Sequence, residues 1–126
     1  MARMEHFALY AADTRALKDF YVEALGLRVI FDNGKTPPSY FLADDDGVAL
    51  EIIARPKDES NVDQRWVCHI AFWVDDFASA LDALKARGLA VEADTFVDTP
   101  AMRTAFVNDP EGNRVQIVWR NPPLAV

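Results

Sequence analysis

The segment HFALYAAD at positions 6–13 recurs without gaps as HIAFWVDD at 69–76, an offset of 63. In both copies a His opens an apolar run, and an Asp stands seven residues later. A second pair follows in the same order. FLADDDGVALEII at 41–53 matches FVNDPEGNRVQIV at 106–118, an offset of 65. Phe41 then corresponds to Phe106, Asp44 to Asp109, Gly47 to Gly112 and Glu51 to Gln116. One strand resembling another is common, but two ordered matches at nearly one offset indicate an internal repeat. The chain reads as two modules, about 1–63 and 64–126, that together make one domain.

Each module predicts the same elements. His6 to Ala11 is an aromatic and apolar β-run. Asp13 is placed to cap a helix whose Leu17, Phe20, Tyr21, Ala24 and Leu25 follow helical spacing, and Gly26 supplies its left-handed stop. Arg28 to Phe31 reads as a strand broken by Asn33-Gly34. Tyr40–Ala43 and Val48–Ile53 then form a hairpin around Asp45-Asp46-Gly47. The second module predicts a strand at 67–74, a helix from Phe77 to Arg87 before Gly88, and strands near 90–97, 102–108 and 113–119. The polar stretch RPKDESNVDQR at 55–65 reads as the linker. The fold class is α+β: two β-α-β-β-β modules forming curved mixed sheets around a cup-shaped site. Each module alone is too short to cover its sheet, so pairing within the chain or with a second chain is expected.

The whole chain has 126 residues, 51% of them hydrophobic and 26% charged, as expected of an ordinary globular domain. Its net charge of −7 disfavours nucleic acid or an anionic membrane surface as partner. No apolar run reaches the roughly 20 residues of a membrane helix, and the N-terminus lacks a signal-peptide pattern. The single cysteine, Cys68, fits a reducing cytoplasm, where this protein is expected.

Strand alternation sends His6, Ala8 and Tyr10 to one face and Phe7, Leu9 and Ala11 to the other. His69, Ala71 and Trp73 share a face in the same way. Glu51 faces opposite to Leu50 and Ile52, and Gln116 opposite to Val115 and Ile117. One side chain able to bind metal thus stands in the first and the last strand of each module: His6, Glu51, His69 and Gln116. Imidazole nitrogen, carboxylate and amide oxygen suit a divalent ion such as Zn, Ni, Co, Mn or Fe(II). Taken singly, each of these residues also has an ordinary structural use. Their recurrence at equivalent places is what points to a site. Tyr10 and Trp73 occupy matching positions on the His faces and would wall a small-molecule pocket, and Arg114, on the Gln116 face, would meet an anionic substrate. No Gly-rich phosphate loop, serine elbow or cysteine cluster is present.

The stretches HFALYAADTRALKDFYVEALGLRV at 6–29 and FVNDPEGNRVQIV at 106–118 resemble the vicinal oxygen chelate superfamily. That group includes glyoxalase I, bleomycin-resistance proteins, fosfomycin-resistance enzymes, extradiol dioxygenases and methylmalonyl-CoA epimerase. The resemblance covers essentially the whole chain, through Phe20-Tyr21, Leu25-Gly26 and the Asp109-Pro110-x-Gly112-Asn113 hairpin. It implies metal ligands at His6, Glu51, His69 and Gln116, and a homodimer. Gln116 stands where many members carry Glu, which leaves a dioxygenase triad incomplete. Glu51 is the only carboxylate of the set and the expected catalytic base, since an amide such as Gln116 takes no proton. The resemblance therefore implies a divalent-metal-dependent lyase or isomerase acting on vicinal oxygens of a small metabolite. The alternatives are a metal-free protein that sequesters an antibiotic, as bleomycin-resistance proteins do, and a dioxygenase with an altered triad.

Overall fold

The computed structural model describes residues 1, 4–56 and 68–123. Residues 57–65 of the predicted linker and residue 67 of the predicted strand lie outside them. The chain divides into two compact units, Met1–Asn61 and Val62–Val126.

In the first unit the order is β1 (His6–Ala11), α1 (Thr14–Leu25), β2 (Arg28–Asp32), β3 (Tyr40–Ala43) and β4 (Ala49–Ala54). Its sheet runs β1-β4-β3-β2, with β1 parallel to β4 and the other pairs antiparallel. The second unit repeats this with β5 (Ile70–Trp73), α2 (Phe77–Ala86), β6 (Val97–Asp98), β7 (Met102–Asn108) and β8 (Arg114–Arg120), in the order β5-β8-β7-β6. The fold is α+β, a β-α-β-β-β module made twice.

Local chemistry sets the helix ends. The Asp13 side chain accepts from Ala16 N–H at 3.0 Å, and Asp76 accepts from Ser79 N–H at 3.0 Å, so each helix starts where its Asp satisfies an orphan donor. At the end of α1, Gly26 takes φ +75°. Its N–H reaches Val22 C=O, and the Leu27 N–H reaches Tyr21 C=O, both at 3.1 Å. That paired closure needs a left-handed residue, and it tucks Leu27 into the core.

Alternation then builds two cores. In the first unit Leu9, Ala11, Leu42, Leu50 and Ile52 bury against Leu17, Phe20 and Tyr21 of α1. In the second, Ala105, Val107, Val115 and Ile117 bury against Phe77, Leu81 and Leu84 of α2. Each helix therefore covers one face of its sheet, and His6, Glu51 and Gln116 project from the other.

The strand predicted near 90–97 is a correction, because only Val97 and Asp98 pair with β7. The backbone turns at Asp94 and Thr95, and the Thr95 hydroxyl donates to Glu92 Oε2 at 2.9 Å. Glu92 is itself drawn to Arg114, so side-chain bonds replace a ladder there. One backbone bond survives, from Glu92 N–H to Phe106 C=O at 2.9 Å.

Two outcomes follow from the caps. Asp13→Ala removes one N-cap acceptor and is expected to cost about 1 kcal/mol, read as a lower denaturant midpoint at unchanged slope. Asp76 behaves as a pH-dependent cap. Hydrogen bonds from Ser79 hold its carboxyl below the usual value of 3.8. A depressed folded pKa stabilises fully above 3.8 and loses that stabilisation as pH falls through the folded value. The midpoint difference between wild type and Asp76→Ala should therefore hold well above pH 3.8 and shrink as the pH falls below it; a difference that stays constant through acid would refute the assignment.

Candidate functional site

In the first unit, pairing register decides which side chains meet. His6 stands opposite Ala49, and Glu51 opposite Ala8, so His6 and Glu51 are diagonal neighbours on the face away from α1. The His6 Nε2 lies 3.3 Å from Glu51 Oε2, with the side chains 36% and 23% exposed. Its Nδ1 lies 3.0 Å from Glu5 Oε1. A carboxylate only accepts, so each contact is a hydrogen bond only where the facing ring nitrogen carries a hydrogen, and a ring with a single N–H can serve one of the two carboxylates at a time. A carboxylate behind one ring nitrogen and an oxygen ligand beside the other is the arrangement that orients a metal-binding imidazole.

The ring of His6 meets Phe41 edge-on, with centroids 5.6 Å apart. Phe41 stands opposite Glu51 in the β3–β4 ladder. Phe31, which alternation alone would have turned elsewhere, joins this row. A register shift between Val29 and Phe31 inserts Ile30 as an extra residue, so Phe31 pairs with Phe41 at 6.2 Å between ring centroids. Tyr10, two residues further along the His6 face, is 57% exposed.

The second unit repeats the geometry with different chemistry. Ala71 stands opposite Gln116, so His69 holds the place relative to Gln116 that His6 holds relative to Glu51. His69 meets Phe106 edge-on at 5.2 Å, and Phe106 stands opposite Gln116. Gln116 is only 8% exposed, and its Nε2 donates to Thr104 Oγ1 at 2.6 Å. Trp73 is 45% exposed, and its indole N–H donates to Asp75 at 3.0 Å.

Arg114 has a partner that the sequence did not announce. Its Nε and Nη2 donate to Glu92 at 2.9 and 2.8 Å, a two-pronged bond between largely covered side chains. The guanidinium carbon sits 3.7 Å from the Phe106 ring centroid. The Glu92 hydrogen bonds push the Arg114 pKa up. Its charge is thus matched within the unit, and among the described residues no hydrogen bond from Nη1 is seen.

A model of the Glyoxalase/Bleomycin resistance protein/Dioxygenase superfamily matches residues 3–117. The chain belongs to this superfamily. Among curated proteins, a probable lactoylglutathione lyase of Vibrio parahaemolyticus serotype O3:K6 (strain RIMD 2210633) is 28% identical over 124 residues, covering 92% of this chain and 89% of that protein. Among solved structures, the oxidase ChaP-H2 matches with a TM-score of 0.73 at 26% identity, covering 94% of each chain. TnmS3, an antibiotic binding protein from Streptomyces sp. CB03234, matches with a TM-score of 0.71 at 22% identity, covering 93% of this chain and 94% of that one. The last likeness speaks for the glyoxalase-type fold alone.

Members of the superfamily generally use divalent metals, and the donor set tests whether this chain fits one. Among the described residues no three His, Cys, Asp or Glu side chains gather. The first unit brings the His6 imidazole and the Glu51 carboxylate together, and the second carries His69 and Gln116 at the equivalent places. Such mixed nitrogen and oxygen donors fit a divalent transition ion or zinc.

The Phe31, Phe106, Thr104 and Glu92 contacts escaped the sequence reading. Counting outward from the hairpin turn at 109–113 would have set Thr104 beside Gln116; the Glu92–Arg114 pair and the bulge at Ile30 leave no comparable local signal. Breaking the ion pair should be costly. Glu92→Gln leaves a largely covered cation without its counter-charge, so a loss of about 3 kcal/mol in unfolding free energy is expected from denaturant titration. A loss within 0.5 kcal/mol, roughly the size of a surface effect, would contradict it.

Proposed function

We propose that this glyoxalase-like protein is a divalent-metal-dependent lyase or isomerase acting on a small metabolite with two neighbouring oxygens. The observation that carries the reading is the 3.3 Å approach of His6 Nε2 to Glu51 Oε2, reproduced in register by His69 and Gln116. In this reading His6, Glu51, His69 and Gln116 hold the ion, the two halves coming from one chain or from the two chains of a homodimer. The lyase named among the relatives supports the reaction class.

A divalent ion held by His6, Glu51, His69 and Gln116 would supply Lewis acidity to stabilise an oxyanion developing on the substrate. The remaining work belongs to the side chains. Glu51 is the one carboxylate of the set, so it takes the proton from the carbon beside the chelated oxygens. Oε2 lies beside His6, so Oε1 is the oxygen that would take the proton. The same carboxyl then returns it to the adjacent carbon, a one-base isomerisation in which no hydrogen is lost. Gln116 has no basic atom, so a two-base route through Glu51 and Gln116 is closed. Tyr10 and Trp73 border the substrate as flat walls, and Arg114 presents Nη1 to an anionic group.

An exposed aromatic in each unit, Tyr10 and Trp73, also favours a second reading, a metal-free protein that sequesters a planar, cationic antibiotic. An oxygenase role has less support, because its triad would need a carboxylate where Gln116 stands. Substitution separates these. Glu51→Gln is expected to lower turnover by roughly two to four orders of magnitude while the circular dichroism and melting curve stay as in wild type. Undiminished turnover would remove Glu51 as base. Undiminished binding of a planar cation by metal-stripped His6→Ala protein would favour sequestration.

A further inference from the structure

We infer that Thr104 is a positioning residue that holds the Gln116 amide with its carbonyl oxygen turned toward a divalent ion; the inference rests on the metal-dependent reading above. A glutamine presents an oxygen or an NH₂ group at nearly the same cost, and only the oxygen suits a cation. The second unit removes that ambiguity.

The Thr104 hydroxyl has one hydrogen, which it donates to the Ile117 C=O at 3.1 Å. Toward Gln116 the same oxygen can therefore only accept. The amide must face it with Nε2, as it does at 2.6 Å, and Oε1 points away. Thr104 and Gln116 are both buried, so water does not compete readily for this relay. Flipping the amide would set two acceptors against each other in a dry place.

The first unit supplies the control. Ser39 holds the position equivalent to Thr104 by the offset of 65, yet among the described residues no hydrogen bond joins it to Glu51. A carboxylate needs none, since both its oxygens accept. The orienting bond occurs only in the unit whose donor is an amide.

The test is Zn²⁺ titration of the full chain, with Thr104→Val, Thr104→Ser and the double variant Thr104→Val/Gln116→Glu. Thr104→Val is expected to weaken Zn²⁺ binding by about tenfold or more. Thr104→Ser keeps the hydroxyl and should restore it. The double variant should restore it too, because a carboxylate has no wrong end. The Gln116 side-chain NH₂ resonances report the relay without metal: slow exchange in wild type and Thr104→Ser, fast exchange in Thr104→Val. Equal Zn²⁺ affinity in wild type and Thr104→Val would overturn the inference. So would fast NH₂ exchange in wild type. Slow exchange in a wild type that binds no Zn²⁺ would instead overturn the metal-dependent reading, and with it the role given to the oriented oxygen.

Discussion

The parallel pairing of β1 with β4, and of β5 with β8, is the constraint on which the rest depends. It places residues of the first and last strands of each unit side by side although more than forty positions separate His6 from Glu51. Antiparallel neighbours alone would have joined each strand to the next in sequence and kept His6 away from Glu51. With the register His6↔Ala49 and Ala8↔Glu51, the diagonal brings imidazole and carboxylate within reach, and the helix behind the sheet forbids a slip. A one-residue shift would drive Glu51 into the core that Leu50 and Ile52 occupy.

That constraint explains why so much was legible in the sequence. A period of two, read against an internal repeat, assigns His6, Glu51, His69 and Gln116 to the faces away from the helices. Asp13 announced the start of α1 through local chemistry, and the repeat carried the same start to the second helix. What stayed hidden depends on contacts across strands or on interrupted periodicity. The Ile30 bulge reverses the alternation at Phe31, and no residue there signals it. The segment at 90–97 reads as a strand because the second module repeats the first, yet the Glu92 carboxylate is claimed by Arg114 and Thr95 and the backbone turns instead. Arg114 read as a substrate contact because its partner lies 22 residues away in the chain.

The two units share a scaffold but not a chemistry. Phe41 and Phe106 buttress the two imidazoles in the same edge-on way, at 5.6 and 5.2 Å. Around that common base the first unit places Phe31 and a carboxylate, and the second an ion pair and an amide held by a threonine.

The proposal that His6, Glu51, His69 and Gln116 bind a divalent ion is tested most directly by metal titration of the purified, chelator-stripped protein. With wild type, His6→Ala and His69→Ala compared by calorimetry, the account predicts one divalent ion per chain. It predicts a large loss of affinity in each variant, because each removes one nitrogen from the same ion. Binding that survives His69→Ala unchanged, or two independent ions per chain, would contradict it.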